Sequence, residues 1–331
     1  KIDTGFHTTT PGPFALQRLL SQMVKSGSEY AVIEATSHAL DQYRLLGSNV
    51  YIGVLTNVTH EHLDYHRSFK NYLGAKIKLF KMAKIVVLNR VDKSAKSIAK
   101  ALGRKKQIFY YPTGLSRELK KAVDSRFPVA YNKLNAQAAI KVSKVLGISE
   151  GKITKAVKSF PPLPGRMEEV KNRKGIRVFI DFAHTPNALE SVLSTLRKEI
   201  PKGKRLISVF GCAGERDRSK RPMMGEISAR LSDISVFTAE DPRHEDVNEI
   251  IEEMVRGAKR VRPTGHTFFR EPDRRKAIRL VIQKLAQRGD TIVVCGKGHE
   301  ESMNIGGVEL SWSDKRAVEI ALKRKILKLK K

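Results

Sequence analysis

Cysteine is nearly absent from this chain: Cys212 and Cys295 are the only two in 331 residues, and neither belongs to a CxxC pair. That excludes a disulfide framework and a thiolate zinc site, and it fits a reducing, cytoplasmic setting. Long apolar runs are missing too. No stretch approaches the ~20 apolar residues that a membrane-spanning helix needs, so no membrane partner is expected. The opening KIDTGFHTTTPGP lacks the cationic segment leading into an apolar one that marks a secretion signal. Acidic residues are scarce beside basic ones, 34 Asp+Glu against 63 Lys+Arg, for a net charge of +29. Such an excess invites a nucleic-acid reading through phosphate contacts and counterion release. Yet the basic residues run along the whole chain and cluster only in KRKILKLKK and in GRKK at 103–106. No zinc finger, aromatic RNA-binding signature or basic zipper accompanies them. Nucleic acid is therefore set aside as the main partner, and the charge is read as solvated faces that draw anionic substrates.

What is present describes a folded chain of two domains: 331 residues, 40% of them apolar, with 23 Gly and 13 Pro. Short β-branched runs at 30–36, 50–58, 84–89, 176–183, 205–211, 234–241 and 291–299 read as strands. Helix-length segments lie between them, such as PFALQRLLSQMVKSG with Pro13 suited to a first turn, and NALESVLSTLRKEI after Thr185 and Pro186. Strands that alternate with helices predict α/β architecture with parallel sheets covered on both faces, and the unbroken apolar strands agree. The stretch SFPPLPGRMEE at 159–169 forbids regular structure and is followed by a fresh strand–helix alternation. It is the expected boundary. No internal repeat is visible.

In open α/β sheets, ligands gather where loops converge beyond the carboxyl ends of strands. Residues 60–76, HEHLDYHRSFKNYLGAK, place His60, His62, His66, Glu61, Asp64 and Lys76 after one such strand, while Glu34 ends another. A mixed imidazole and carboxylate set without thiolates favours Mg²⁺ over structural zinc. By spacing alone, a metal site and a solvated polar loop are equally good readings, and Lys76 reads as a solvated helical lysine.

The motifs EATSHAL, TNVTHEHLDYH, YLGAK, YNKLNAQAAI, PGRMEE, DFAHTPNAL, VFGCAGERDRSKRPMMGE, EDPRHED and GKGHE follow one another in the order seen in the Mur ligases, and nearly the whole chain resembles that family. The resemblance implies residues 1–160 as a central, ATP-binding domain with a mostly parallel sheet, and residues 161–331 as a doubly wound, Rossmann-like domain that binds the incoming amino acid. It implies an ATP- and Mg²⁺-dependent amide ligase of peptidoglycan precursor synthesis. Such a ligase adds a third residue, expected to be meso-diaminopimelate, to a UDP-muramoyl dipeptide through an acyl phosphate.

By the same resemblance Glu34 and His62 ligate Mg²⁺, and Lys76 is carbamoylated into an anion that helps. Thr9, Thr10, Thr36, Gln42 and Arg44 hold the UDP-muramoyl dipeptide. Asn132, Asn135, Arg166 and Asp181 contact the nucleotide, with His184 beside them; the plain alternative for the asparagines is helix N-capping. Arg216, Glu240, Asp241, Pro242, Arg243, Gly296 and Glu300 bind the amino acid. The chain departs from the usual pattern in reading EDPR where DNPR is typical of ligases that take diaminopimelate, Thr36 for a serine and Glu61 for an aspartate. It also contains no glycine-rich GTxGKT phosphate loop. The expectation is an N-terminally shortened ligase without activity of its own. The alternatives kept open are a non-catalytic homologue serving as a basic scaffold and a relative of folylpolyglutamate or cyanophycin synthetases.

Overall fold

The computed structural model describes residues 9–58, 63–127, 129–261 and 267–323. The chain divides into two compact units, Lys1–Ser159 and Phe160–Lys331.

In the first unit α1 (Pro13–Lys25) begins on Pro13, whose missing N–H costs nothing in a first turn. Thr36 caps α2 (Ser37–Asp41) by accepting from the Ala39 N–H. A parallel sheet follows in the order β1 (Ile52–Val54), β2 (Ile85–Asn89), β3 (Gln107–Tyr111). The connections run through α3 (Leu63–His66), α4 (Phe69–Met82) and α5 (Ser94–Leu102). Every residue of β2 is buried, as expected for a central parallel strand. Leu55, Phe80, Val86, Leu88 and Ile98 form the core between sheet and helices. Three helices, α6 (Arg117–Arg126), α7 (Ala130–Val145) and α8 (Glu150–Ser159), complete the unit around Leu119, Ile140 and Ile153.

The strand expected at 30–36 does not form. The segment has no regular structure and pairs with no described strand, and Val32 is fully exposed. β-branched composition supplies a preference for extended backbone, whereas a strand also needs a ladder partner. The run at 50–58 likewise contracts to the three residues of β1.

The second unit carries a six-stranded sheet in the order β4 (Glu168–Glu169), β5 (Arg177–Asp181), β9 (Thr291–Cys295), β6 (Leu206–Phe210), β7 (Ile234–Phe237), β8 (Thr267–Arg270). All neighbours are parallel except β4, which runs antiparallel to β5 and corrects the expectation for 159–169: its last two residues, beyond the prolines, find a ladder partner in Phe179 and Ile180. The crossovers are α9 (Pro186–Glu199), α10 (Lys220–Leu231), α11 (Val247–Val261) and α12 (Arg274–Leu280), the last continuing as a π turn over Val281–Leu285. A hairpin of β10 (Ser302–Ile305) and β11 (Val308–Ser311) leads into α13 (Asp314–Lys323). Because β9 inserts between β5 and β6, the chain must reverse its direction of winding after β8. That reversal makes the carboxyl ends of β5, β9 and β6 the expected crevice.

One face of this sheet buries Val178, Ile207, Val236 and Ile292 against Ala277, Ile278 and Val318 of α12 and α13. On the other, α10 lies very close to α11. A Cβ on Gly225 would fall 1.9 Å from the Met254 carbonyl oxygen, and one on Gly257 would fall 1.8 Å from that of Pro222. Only glycine permits this backbone approach.

Candidate functional site

In the first unit Thr10, Thr36, Gln42 and Arg44 come together through the backbone. The buried Thr10 hydroxyl donates to the Glu34 carbonyl at 2.7 Å, and Arg44 Nη1 donates to the Thr10 carbonyl at 2.7 Å. Arg44 Nε also donates to Gln42 Oε1 at 2.9 Å, and the intervening Tyr43 holds a left-handed φ of 54°. Gln42 Nε2 donates to the Tyr65 hydroxyl, which donates to Asp41. Thr9 is exposed beside this set.

The expected metal ligands are not assembled into a cluster by the described residues. Glu34 is exposed on the coil before α2, and Lys76 sits on α4 with its Nζ 5.2 Å from the centroid of the Tyr72 ring. His62, His60 and Glu61 lie outside the described residues, and no group of three or more metal-ligating His, Cys, Asp or Glu occurs within them. His66 is buried among aromatic rings, its centroid 4.7 Å from that of Tyr65 and 5.4 Å from that of Tyr72. Asn132 and Asn135 lie in the first two turns of α7, half-buried and exposed respectively. They do not cap it: Val129 holds that position and no side chain satisfies the first amides. The capping alternative is thereby corrected.

The second unit gathers its motifs more tightly. After β5, the buried Asp181 carboxylate accepts from the Met167 and Ala183 amides at 2.8 and 2.9 Å. The Arg166 guanidinium stacks 4.4 Å from the centroid of Phe182, and that ring is flanked by His184 and His299 at 4.6 and 5.3 Å. Gly298, with φ 54°, is pressed against Phe182, where a Cβ would meet the Phe182 Cβ at 2.7 Å.

A few residues away the loops after β6, β7 and β9 interlock. The Gly214 amide donates to the Asp241 carbonyl at 2.9 Å and Arg243 Nη1 donates to the Gly214 carbonyl at 3.2 Å. Lys297, only 1% exposed, donates to Asp241 Oδ1 at 2.8 Å and pairs with Glu300 Oε2 at 2.6 Å. Burial alone would lower the Lys297 pKa, but the hydrogen bonds to Asp241 and Glu300 more than reverse this and hold it above the usual lysine value. Asp241 also accepts from the Asn304 amide of β10 at 2.9 Å, tying the hairpin to the same loop. Glu240 is buried against Gly296, and its Oε2 has no hydrogen-bond partner among the described residues. Burial raises its pKa, opposed chiefly by the charge of Lys220. Arg216 is exposed next to Glu215, whose carboxylate meets His244 Nδ1 at 2.7 Å. Pro242 is buried. Glu215, Asp241 and Arg243 all hold left-handed φ values of 52°, 43° and 52°. Non-glycine residues persist there only when their surroundings impose it.

Beneath these loops lies an ion pair that motif reading missed. Arg274 and Asp314 are fully buried, with Nη2 to Oδ2 at 2.7 Å. Arg274 also donates to the carbonyls of Ala239 and Cys295, at the carboxyl ends of β7 and β9. Trp312 Nε1 donates to the same aspartate at 2.8 Å. Arg274 opens a helix rich in basic residues, so nothing local in RRKAIRL distinguishes it from a solvated one.

Residues 2–148 match the Mur ligase middle domain, and residues 165–298 match the Mur ligase, glutamate ligase domain. The chain is 36% identical over 338 residues to the UDP-N-acetylmuramoyl-L-alanyl-D-glutamate--2,6-diaminopimelate ligase of Clostridium botulinum, covering 96% of this chain and 68% of that protein. The chain belongs to the Mur ligase family. The correspondingly named ligase of Thermosynechococcus vestitus is 36% identical over 346 residues, with the same coverage of 96% and 68%. A solved structure of a UDP-N-acetylmuramoyl-L-alanyl-D-glutamate--2,6-diaminopimelate ligase superposes with a TM-score of 0.55 at 30% identity, over 95% of this chain and 68% of that one. Escherichia coli FolC in complex with ADP shares the fold, with a TM-score of 0.55 at 18% identity over 74% of this chain and 58% of its own. Mur ligases form C–N bonds with ATP, which accords with loops rich in charged donors. No described helix of this Mur ligase chain is long and apolar enough to cross a membrane.

Proposed function

We propose that this Mur ligase chain serves the addition of meso-diaminopimelate to UDP-N-acetylmuramoyl-L-alanyl-D-glutamate, and that its second unit binds the incoming amino acid. The observation that carries the reading is the shared rim after β6, β7 and β9, where Arg243 donates to the Gly214 carbonyl, Lys297 joins Asp241 to Glu300, and Gly296 packs against Glu240. The planar fork of Arg243 suits the second carboxylate that diaminopimelate has and lysine lacks. Arg216, exposed on the adjoining loop, supplies a second guanidinium, and Glu240 and Pro242 are buried in the same segment as Arg243.

The residues around Phe182 fit a nucleotide. Arg166 offers a cation stacked on an aromatic face, and the Asp181 carboxylate is fixed by two amides. In the first unit, taken by itself, Asn132 and Asn135 on α7 are the residues proposed to contact a nucleotide. ATP, when bound, supplies the phosphoryl group that activates the glutamyl carboxylate. The hydroxyls of Thr9 and Thr36, with Gln42 and Arg44, orient the acidic dipeptide, and the buried Thr10 supports them, its hydroxyl donating to the Glu34 carbonyl and its own carbonyl accepting from the Arg44 guanidinium. Glu34, His62 and a carbamoylated Lys76 would hold Mg²⁺ through oxygen and imidazole donors, the ligand chemistry that ion accepts.

The test is binding of meso-diaminopimelate to the 331-residue chain, followed by NMR. Arg243→Ala is expected to weaken it by about tenfold or more, the scale of a lost charged hydrogen bond, and to change lysine binding little. Equal losses for both amino acids would remove the reading of Arg243, and absence of binding to the unaltered chain would remove the site.

A further inference from the structure

The rim holds an aspartate at a place where a dicarboxylic amino acid must approach. Asp241 lies two residues from Arg243, and an uncompensated carboxylate there would oppose the attraction that Arg243 exerts on a second carboxylate. Asp241 is not left uncompensated. Its Oδ1 takes both the Lys297 ammonium at 2.8 Å and the Asn304 amide at 2.9 Å. Lys297 emerges between Gly296 and Gly298, whose φ values of 113° and 54° turn the chain so that the lysine points inward rather than to solvent.

The two acidic partners of Lys297 are not equivalent. The Glu300 side chain is 39% exposed and has water to solvate it, whereas that of Asp241 is 21% exposed and hemmed in by the hairpin. Asp241 is therefore the partner whose charge depends on the lysine. A buried ion pair adds little net stability compared with an apolar pair, but removing one partner leaves the other charge stranded. Both effects act directly on the groups that line the rim.

Resting on the proposed amino-acid site, we propose that Lys297 is a positioning and specificity residue: by cancelling the charge of Asp241 it keeps the rim receptive to an amino acid with a second carboxylate. Lys297 does not touch the amino acid itself. It works through Asp241, and its loss removes one positive charge from the rim, which penalises diaminopimelate and favours a side chain ending in an ammonium alone.

The experiment measures the dissociation constants of meso-diaminopimelate and L-lysine for the 331-residue chain and its variants. Lys297→Met is expected to weaken diaminopimelate by about tenfold while changing lysine by less than about threefold. Adding Asp241→Asn to Lys297→Met should recover most of the loss, because the stranded carboxylate is gone. Asp241→Asn alone, which keeps the lysine, should leave folding intact and raise the preference for diaminopimelate over lysine. This last variant decides the matter even if Lys297→Met fails to fold. A double variant no better than Lys297→Met, or an unchanged preference in Asp241→Asn, overturns the role of Lys297. If Arg243→Ala still selectively weakens diaminopimelate, the amino-acid site survives that result, and if no variant or parent chain binds diaminopimelate, both proposals fall.

Discussion

The two units solve the same architectural problem with different amounts of material. In the first, the described sheet has three short parallel strands, and Val32 and Phe14, outside it, are 100% and 90% exposed. In the second, five parallel strands are sealed by helices, and the loops beyond them are joined by buried or half-buried ion pairs. The first unit's candidate residues are linked mainly through backbone carbonyls, as in the Thr10, Glu34 and Arg44 set. The second unit's add side-chain ion pairs to such backbone links, as where Lys297 joins Asp241 to Glu300. The difference teaches where preorganisation resides: the rim after β6, β7 and β9 is held by charged contacts between its own loops, while Glu34 lies exposed on coil and its segment is tied to the helix carrying Lys76 indirectly, through Thr10 and the Asp41–Lys78 ion pair.

The largest blow to this contrast should come from Arg274→Met. It strands the fully buried Asp314 and releases two strand-end carbonyls. A loss of about 3–5 kcal/mol is expected, visible in urea denaturation as an earlier transition of the second unit with the first unchanged. A loss under about 1 kcal/mol would mean that the sealed architecture does not depend on this pair.

A smaller effect is expected at Asp290. Its carboxylate is buried and accepts from the Arg205 amide, Nε and Nη2 and from the Gln287 amide. Burial raises its pKa, but the Arg205 and Gln287 hydrogen bonds together outweigh this and hold it below the usual value. A carboxylate depressed in the folded state contributes stability that is fully present above its unfolded pKa of ~3.9 and is lost as pH falls through the lower folded value. Asp290→Asn should therefore cost about 1–3 kcal/mol at neutral pH and flatten the acid limb of the stability curve. An unchanged limb would assign acid sensitivity elsewhere.

The smallest sits in the first unit, where Thr36→Val removes the side-chain cap of α2. About 1 kcal/mol is expected, read as a shift in the first unit's transition only. A larger shift would show that this unit is more tightly coupled internally than its exposed surface implies.

Much of the second sheet was legible because its strands are continuous apolar runs. The readings at 176–183, 205–211, 234–241 and 291–299 contain β5, β6, β7 and β9. The strands that escaped are those whose residues serve two environments. QIFYY of β3 follows a basic stretch, TFFR of β8 is an edge, and SMNI and VELS form a hairpin whose second strand is wholly exposed. The 30–36 run failed for the opposite reason: its composition asks for a sheet that the described residues do not supply. At the site, motif order pointed to the loops after β6, β7 and β9, where the structure shows them interlocked. It was silent on Arg274 and on Lys297, because charge alone does not announce burial among 63 basic residues. Two glycines flanking a lysine at the end of an apolar strand were the one available signal.

Arg274 has a mechanical consequence as well. A single planar guanidinium reaches the ends of β7 and β9 across the end of β6, which lies between them in the sheet. The mouth of the crevice thus has its width set from below, like an arch held by a tie beam out of sight of whatever passes through. That span ends at Ala239, directly before the EDPR stretch, and at Cys295, directly before Gly296, so one hidden side chain anchors the roots of both loops.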